Sequence, residues 1–135
     1  MARLQVVAVA AKLPRWAEEA CADYARRMPK GYELERINIK DERRLAAALP
    51  KNPRLVVLDE RGRDMTTAQF AELLAVPSAF LIGGAEGLSQ ATKRSAQLTL
   101  RLSAMTLPHA LAQVLLLEQL YRAATFLTGH PYHRA

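Results

Sequence analysis

Three short stretches carry the residues that could do chemistry. In AFLIGGAEGLS (79–89) an apolar run ends in Gly83 and Gly84, passes Glu86 and Gly87, and reaches a helix start at Leu88-Ser89. The spacing is neither G-x-G-x-x-G nor G-x-x-x-x-G-K-S/T, so it matches no dinucleotide or nucleoside triphosphate fingerprint. Paired glycines let the backbone turn tightly and approach a flat ligand without a Cβ in the way. RLVVLDERG (54–62) stops its apolar run at Leu58-Asp59, and RLSAMTLPH (101–109) runs into a long apolar pattern. In a parallel sheet these three strand ends gather at the edge where open α/β proteins form crevices. They supply Leu58, Ile82, Met105 and Leu107, the hydroxyls of Ser103 and Thr106, and backbone amides, with no cluster of Lys or Arg to neutralise a triphosphate. A dry, uncharged slot of this kind suits a neutral aromatic ring such as adenine. Glycines that simply close turns would give the same letters.

A second set of candidates lies near the C-terminal end. In TGHPYHRA (128–135), Arg134 offers a fork for phosphate, and Tyr132 or a histidine can stack on an unpaired base. A frayed, inert end is the alternative. His130 and His133 have metal-ligand character, but no Cys or carboxylate stands near them in sequence, so no metal site is expected. His109, beside Pro108, is a candidate base or merely a helix-starting residue. Glu86 is a candidate catalytic carboxylate or a complement to a helix dipole.

Holding these groups in place requires alternating strands and helices, and the pattern supplies them. Strands are expected at 4–10, 32–39, 54–60, 79–84 and 98–104, and helices at 14–28, 41–49, 89–96 and 108–127. Thr66 or Thr67 can cap a further helix over AQFAELLA (68–75). Five strands joined by helices imply an α/β domain with a mostly parallel sheet, a single domain over 1–135. The last helix is apolar almost all round and cannot face one sheet alone. A second copy in an isologous dimer is the preferred cover, and burial within the monomer is the alternative. Within that helix Glu118 precedes Arg122 by four residues, the favourable order for an ion pair, while Gln113 points the opposite way.

The bulk numbers set bounds. The 135 residues are 50% hydrophobic, enough for a real core, and carry a formal charge of +6. That charge fits an anionic partner or a merely basic protein. Residues 1–31 hold six Lys or Arg against three acids, half of the excess. The single Cys21 provides neither a disulfide framework nor a Cys-based zinc site. LQVVAVAA (4–11) reads as a first strand rather than a leader segment, and no apolar run approaches the roughly 18 residues of a membrane helix. A cytoplasmic address is expected.

LIGGAEGLS, LSAMTLPHALAQVLLLEQLYRA and HPYHRA, in that order, resemble the RlmH family of bacterial large-subunit ribosomal RNA pseudouridine N3-methyltransferases. LQVVAVAAKLPRWAEEACADYARRMP is similar to that family's opening segment, so the resemblance spans essentially the whole chain. It implies a SPOUT-type fold, an α/β sheet whose C-terminal part is tied in a deep trefoil knot, and a homodimer. It also implies S-adenosylmethionine bound bent in the knot loops, against Leu58, Gly83, Gly84, Ser103, Ala104, Met105, Thr106, Leu107 and Pro108. The implied substrate is a pseudouridine in a hairpin loop of 23S rRNA, methylated on assembled ribosomes. His133, Tyr132 and Arg134 of one subunit are then expected to reach the other's cofactor and hold the flipped base, with His109 as a second candidate.

Two departures from the family pattern stand out. The segment joining INIK (37–40) to DERRLAAALPKN (41–52) is short, where the family often has a basic insertion. Gln113 stands where arginine is common. Two other readings stay open: a non-catalytic, ribosome- or RNA-binding SPOUT dimer, and a SPOUT enzyme that modifies transfer RNA.

Overall fold

A computed structural model describes residues 4–84 and 86–133, the side chain of His133 excepted. Strands β1 (Leu4–Val9), β2 (Leu34–Ile39), β3 (Arg54–Arg63), β4 (Ser78–Ile82) and β5 (Leu98–Leu100) form one sheet in the order β2-β1-β4-β3-β5. Every pairing is parallel, with Val6 opposite both Arg36 and Phe80, and Val56 opposite Phe80. Helices α1 (Arg15–Arg27), α2 (Leu45–Ala48), α3 (Thr67–Glu72) and α4 (Gln90–Ser95) lie between successive strands, and α5 (His109–Thr128) follows β5.

The sheet is covered on both faces, as parallel sheets require. On one face Leu4, Val6, Val56, Phe80 and Leu100 pack with Cys21 of α1, Phe70 and Ala71 of α3, and Leu116, Leu117 and Leu120 of α5. The Phe70 and Phe80 rings meet at 5.6 Å and 54°. On the other face Val7, Ile39, Val57, Ala79 and Leu81 pack with Leu49 and with Leu45, Ala48, Leu88 and Ala96. Alternating strand residues thus feed two separate clusters, which is what a period of two produces.

The helix ends follow local chemistry. Thr66 caps α3 through a reciprocal pair: its hydroxyl accepts from Gln69 N at 3.1 Å, and Gln69 Oε1 accepts from Thr66 N at 2.9 Å. Pro14 and Pro108, both extended, precede α1 and α5 rather than starting their first turns. Gly129 closes α5 in the left-handed region, φ 77°, where glycine carries no Cβ penalty.

Two expectations of secondary structure are corrected. The fifth strand stops at Leu100, not 104, because Leu102 turns into the core and Ser103 Oγ accepts from Met105 N at 2.9 Å. The 41–49 helix is a 3-10 turn (Glu42–Arg44) followed by a single α turn, Leu45–Ala48. Most of α5 is covered within the chain, by α1, α3 and the sheet, with Leu116, Leu117, Leu120, Ala123 and Ala124 fully buried. Apolar side chains left in solvent on these helices are Leu111, Phe126 and Leu127 on α5 and Trp16 on α1.

β3 does not end with its apolar run. After Leu58 it shifts register and meets β5 again, so that Arg63 also stands opposite Leu100. Gly62 makes this possible: a Cβ there would lie 2.6 Å from Leu100 C and 2.8 Å from Leu100 N, both backbone atoms. Gly62→Ala is expected to destabilise the chain by about 1–3 kcal/mol through this overlap, read as a lower urea midpoint.

Candidate active site

The carboxyl ends of β3, β4 and β5, together with the start of α5, enclose a cavity of about 500 Å³. That size falls in the range of small-molecule and cofactor sites. Leu58, Gly83, Gly84, Ser103, Met105, Thr106 and Leu107 line it, along with Ile82 and His109. Ala104 and Pro108 belong to the same loop, but both are exposed and neither forms part of the wall. The structure therefore brings together three stretches spread over residues 58–109.

The glycines are matched to close backbone approaches. A Cβ on Gly83 would fall 2.9 Å from Leu88 Cγ and 3.0 Å from Gly87 C, and one on Gly84 would fall 3.0 Å from Val9 O. Gly84 thus faces the end of β1, and its missing side chain lets β4 leave the sheet beside that strand. The turn is closed by Gly87 N donating to Gly84 O at 3.0 Å, with Gly87 at φ 75°.

The floor is apolar, built by Leu58, Ile82, Leu100, Leu102 and Leu107. The rim is charged, which corrects the uncharged slot expected from sequence. Asp59, Glu60 and Glu86 stand there with Lys93 and Arg101. Lys93 Nζ lies 3.5 Å from Asp59 Oδ2, and Arg101 donates to Asp64 at 2.7 and 2.6 Å. The Arg101 guanidinium holds the Asp64 carboxyl below the usual carboxylate range. Each cation at the rim is already paired, leaving the acids in excess, so a triphosphate would find no welcome here. Lys93, on α4, sits outside the quoted stretches, and Arg101 opens one of them; the pairing of β3 with β5 sets Arg101 beside Asp64.

His109 Nε2 is buried with no hydrogen-bond partner among the described residues, and its residue forms part of the wall. Among the described residues no three of His, Cys, Asp and Glu cluster as a metal site.

The tail docks on its own chain. A 3-10 turn, Pro131–His133, packs on α5. Tyr132 OH donates to Glu118 Oε2 at 3.0 Å, and its ring meets Tyr121 edge-on at 4.5 Å. Arg122 pairs with the same Glu118 oxygen at 2.8 Å and lies 5.1 Å from the Tyr132 ring centroid. Arg27 of α1 lies 4.8 Å from the Tyr121 ring. Burial foremost, then the Tyr24 and Glu118 contacts, raise the Tyr132 phenol above its ordinary range, so it stays protonated. No described tail residue lines the cavity of its own chain. Arg134 and the His133 side chain lie outside the described residues.

A second, smaller cavity of about 220 Å³ opens between α1, β1, β2 and α5. Arg36 crosses it to make a two-point pair with Glu18 at 2.7 and 2.9 Å, while Arg36 Nε and Gln113 Oε1 face inward unpartnered among the described residues. Gln113 is almost wholly buried.

Tyr132→Phe removes a hydrogen bond to a carboxylate and is expected to lower stability by about 1 kcal/mol, measured by urea unfolding. Tyr132→Ala, which also loses the ring packing, is expected to cost about 2–3 kcal/mol.

Comparison with known proteins places this geometry in a family. Residues 2–133 match the model described as "Predicted SPOUT methyltransferase". The chain is 46% identical to ribosomal RNA large subunit methyltransferase H of Laribacter hongkongensis over 154 aligned positions, covering 98% of this chain and 99% of that one. It is 48% identical to the protein of the same name from Polynucleobacter asymbioticus over 145, with the same coverage. Both alignments are longer than this chain, so each relative holds residues this one lacks. The fold superposes on the SpoU methyltransferase AviRb of Streptomyces viridochromogenes with a TM-score of 0.61 at 17% identity, over 93% of this chain and 60% of that one. The complex of AviRb with the cofactor AdoMet gives 0.53 at 17%, over 87% and 56%. The chain therefore belongs to the SPOUT methyltransferase family, among the ribosomal RNA large subunit methyltransferases H.

Proposed function

We propose that this protein transfers a methyl group from S-adenosylmethionine to N3 of a pseudouridine in 23S rRNA of the assembled ribosome. On this reading residues 1–135 form one catalytic unit with a knotted C-terminal part, working as a homodimer in the cytoplasm. The observation that carries the reading is the cavity over β3, β4 and β5: an apolar floor beside a glycine-containing loop for an adenosyl group, with an acid-rich rim for a cationic ligand. A sulfonium and an ammonium are attracted by Glu60, Glu86 and Asp59, whereas phosphates are repelled. Gly83 and Gly84 line the cavity where the adenine is placed, and Leu58, Met105 and Leu107 flank it, with Ser103 and Thr106 supplying hydroxyls. The bound cofactor supplies a methyl group already activated on positively charged sulfur.

The protein's own task is then alignment. Holding the acceptor nitrogen in line with the methyl group can supply up to about 7–11 kcal/mol of the barrier. Pseudouridine N3 must also lose its proton as the new N–C bond forms. His109 is assigned to accept it, as the one histidine among the described residues lining the cavity. His133 and Arg134 are assigned to the target nucleotide. Tyr132, pinned to Glu118 of its own chain, serves as the anchor from which they extend. Because the described tail stays clear of its own cavity, its reach is toward a second copy, whose contact fits the exposed Trp16, Leu111, Phe126 and Leu127.

Mass spectrometry of rRNA from cells lacking this protein is expected to show one pseudouridine without its N3 methyl group. Purified protein is expected to methylate ribosomes and not free tRNA, and the reverse would move the substrate to tRNA. Absence of calorimetric binding to S-adenosylmethionine would leave a non-catalytic binding dimer. Chains truncated after Thr128 are expected to bind the cofactor and lose turnover. Mixing them with Gly84→Val chains, which fail to bind it, is expected to restore activity in mixed dimers, and no recovery would refute the shared site.

A further inference from the structure

The loop that lines the cavity ends at Ser89, and what holds Ser89 comes from a distant part of the chain. Glu42, in the 3-10 turn after β2, accepts four hydrogen bonds from this segment. Ser89 N lies 3.2 Å from both carboxylate oxygens, Ser89 Oγ donates at 2.9 Å and Thr92 Oγ1 at 2.6 Å. The Thr92 hydroxyl foremost, with the Ser89 groups, holds the Glu42 carboxyl below its ordinary range. Ser89 is also the cap of α4, its Oγ accepting from Thr92 N at 3.2 Å, so one carboxylate fixes both the loop's end and the first turn of the helix.

That helix needs the help. It has six residues, none of them buried, and a helix so short does not hold itself in water. Leu88 anchors the segment to the cluster around Val7, Val57 and Leu81, and Lys93 ties it to Asp59 at 3.5 Å. Glu42 is the third anchor and directly precedes nothing in the loop: it is 47 residues away in sequence. Its own position is fixed by Asp41, whose carboxylate accepts from Arg43 N at 2.9 Å and starts the 3-10 turn. The short connection between β2 and this turn delivers the carboxylate to Ser89.

We propose that Glu42 is a positioning residue for the cofactor loop, holding its cavity-lining end, Gly87 and Leu88, in a binding-ready position through Ser89 and Thr92, and so sets affinity for S-adenosylmethionine rather than the rate of methyl transfer. The proposal rests on the methyltransferase reading above. A loop released at its far end must be reordered by the ligand at each binding event, which weakens affinity without touching the reacting atoms.

The test is calorimetric titration of the full chain with S-adenosylmethionine, paired with steady-state methylation of ribosomes. Glu42→Ala is expected to raise Kd and the KM for the cofactor by on the order of tenfold, with kcat at saturation within about twofold. Glu42→Gln keeps acceptor oxygen at the same place and is expected to recover most of the loss. Thr92→Val removes the 2.6 Å bond while preserving shape, and is expected to weaken binding several-fold even if Glu42→Ala does not fold. Unchanged affinity in the folded variants, or a fall in kcat with affinity intact, overturns the proposal. Failure of the unmodified protein to bind overturns it together with the methyltransferase reading, whereas normal binding by the unmodified protein and by the folded variants alike overturns this proposal alone.

Discussion

Parallel pairing is the constraint on which the site depends. Strands running the same way deliver all their carboxyl ends to one edge, and β3, β4 and β5 are neighbours there. Three stretches far apart in sequence are thereby converted into one concave surface. The register is tight: Val56 stands opposite Phe80 on one side and Leu98 on the other. A slip of one residue would exchange the two core clusters and turn every side chain of a strand to the wrong face. Packing on both faces therefore fixes the strand ends, and the strand ends fix the cavity.

Much of this was legible in the letters. β-branched runs ending in glycine or acid, with helical patterns between them, gave the α/β class and the position of the site. The opening run 4–9, the Thr66 cap and the Glu118–Arg122 pair needed only local rules. What escaped was whatever depended on distant partners. The fifth strand looked longer because LTLRLSA alternates well, but Leu102 is drawn into the core. The last helix looked unsupported because its neighbours α1 and α3 cannot be counted from its own sequence. The rim ion pairs were missed for the same reason, since Arg101 meets Asp64 across the β3–β5 pairing and Lys93 reaches Asp59 from α4.

The tail shows how a terminal side chain can be held by its own chain. The Tyr132 phenol satisfies a half-buried carboxylate already shared with Arg122, and its ring fills space beside Tyr121. Aromatic contact and a charge-assisted hydrogen bond together hold a terminal turn that chain entropy would otherwise fray.

The strand order also governs how the chain comes together. β1 lies inside the sheet, with Leu4 opposite both Leu34 and Ser78. Its first neighbour is made soon after it, but the second arrives only when the chain has grown well past its midpoint. Until then β1 presents an open edge of Val and Ala to the surroundings. Long-range parallel pairings of this sort close late and slowly. Assembly of the central strands, rather than formation of any helix, is the slow step this topology imposes.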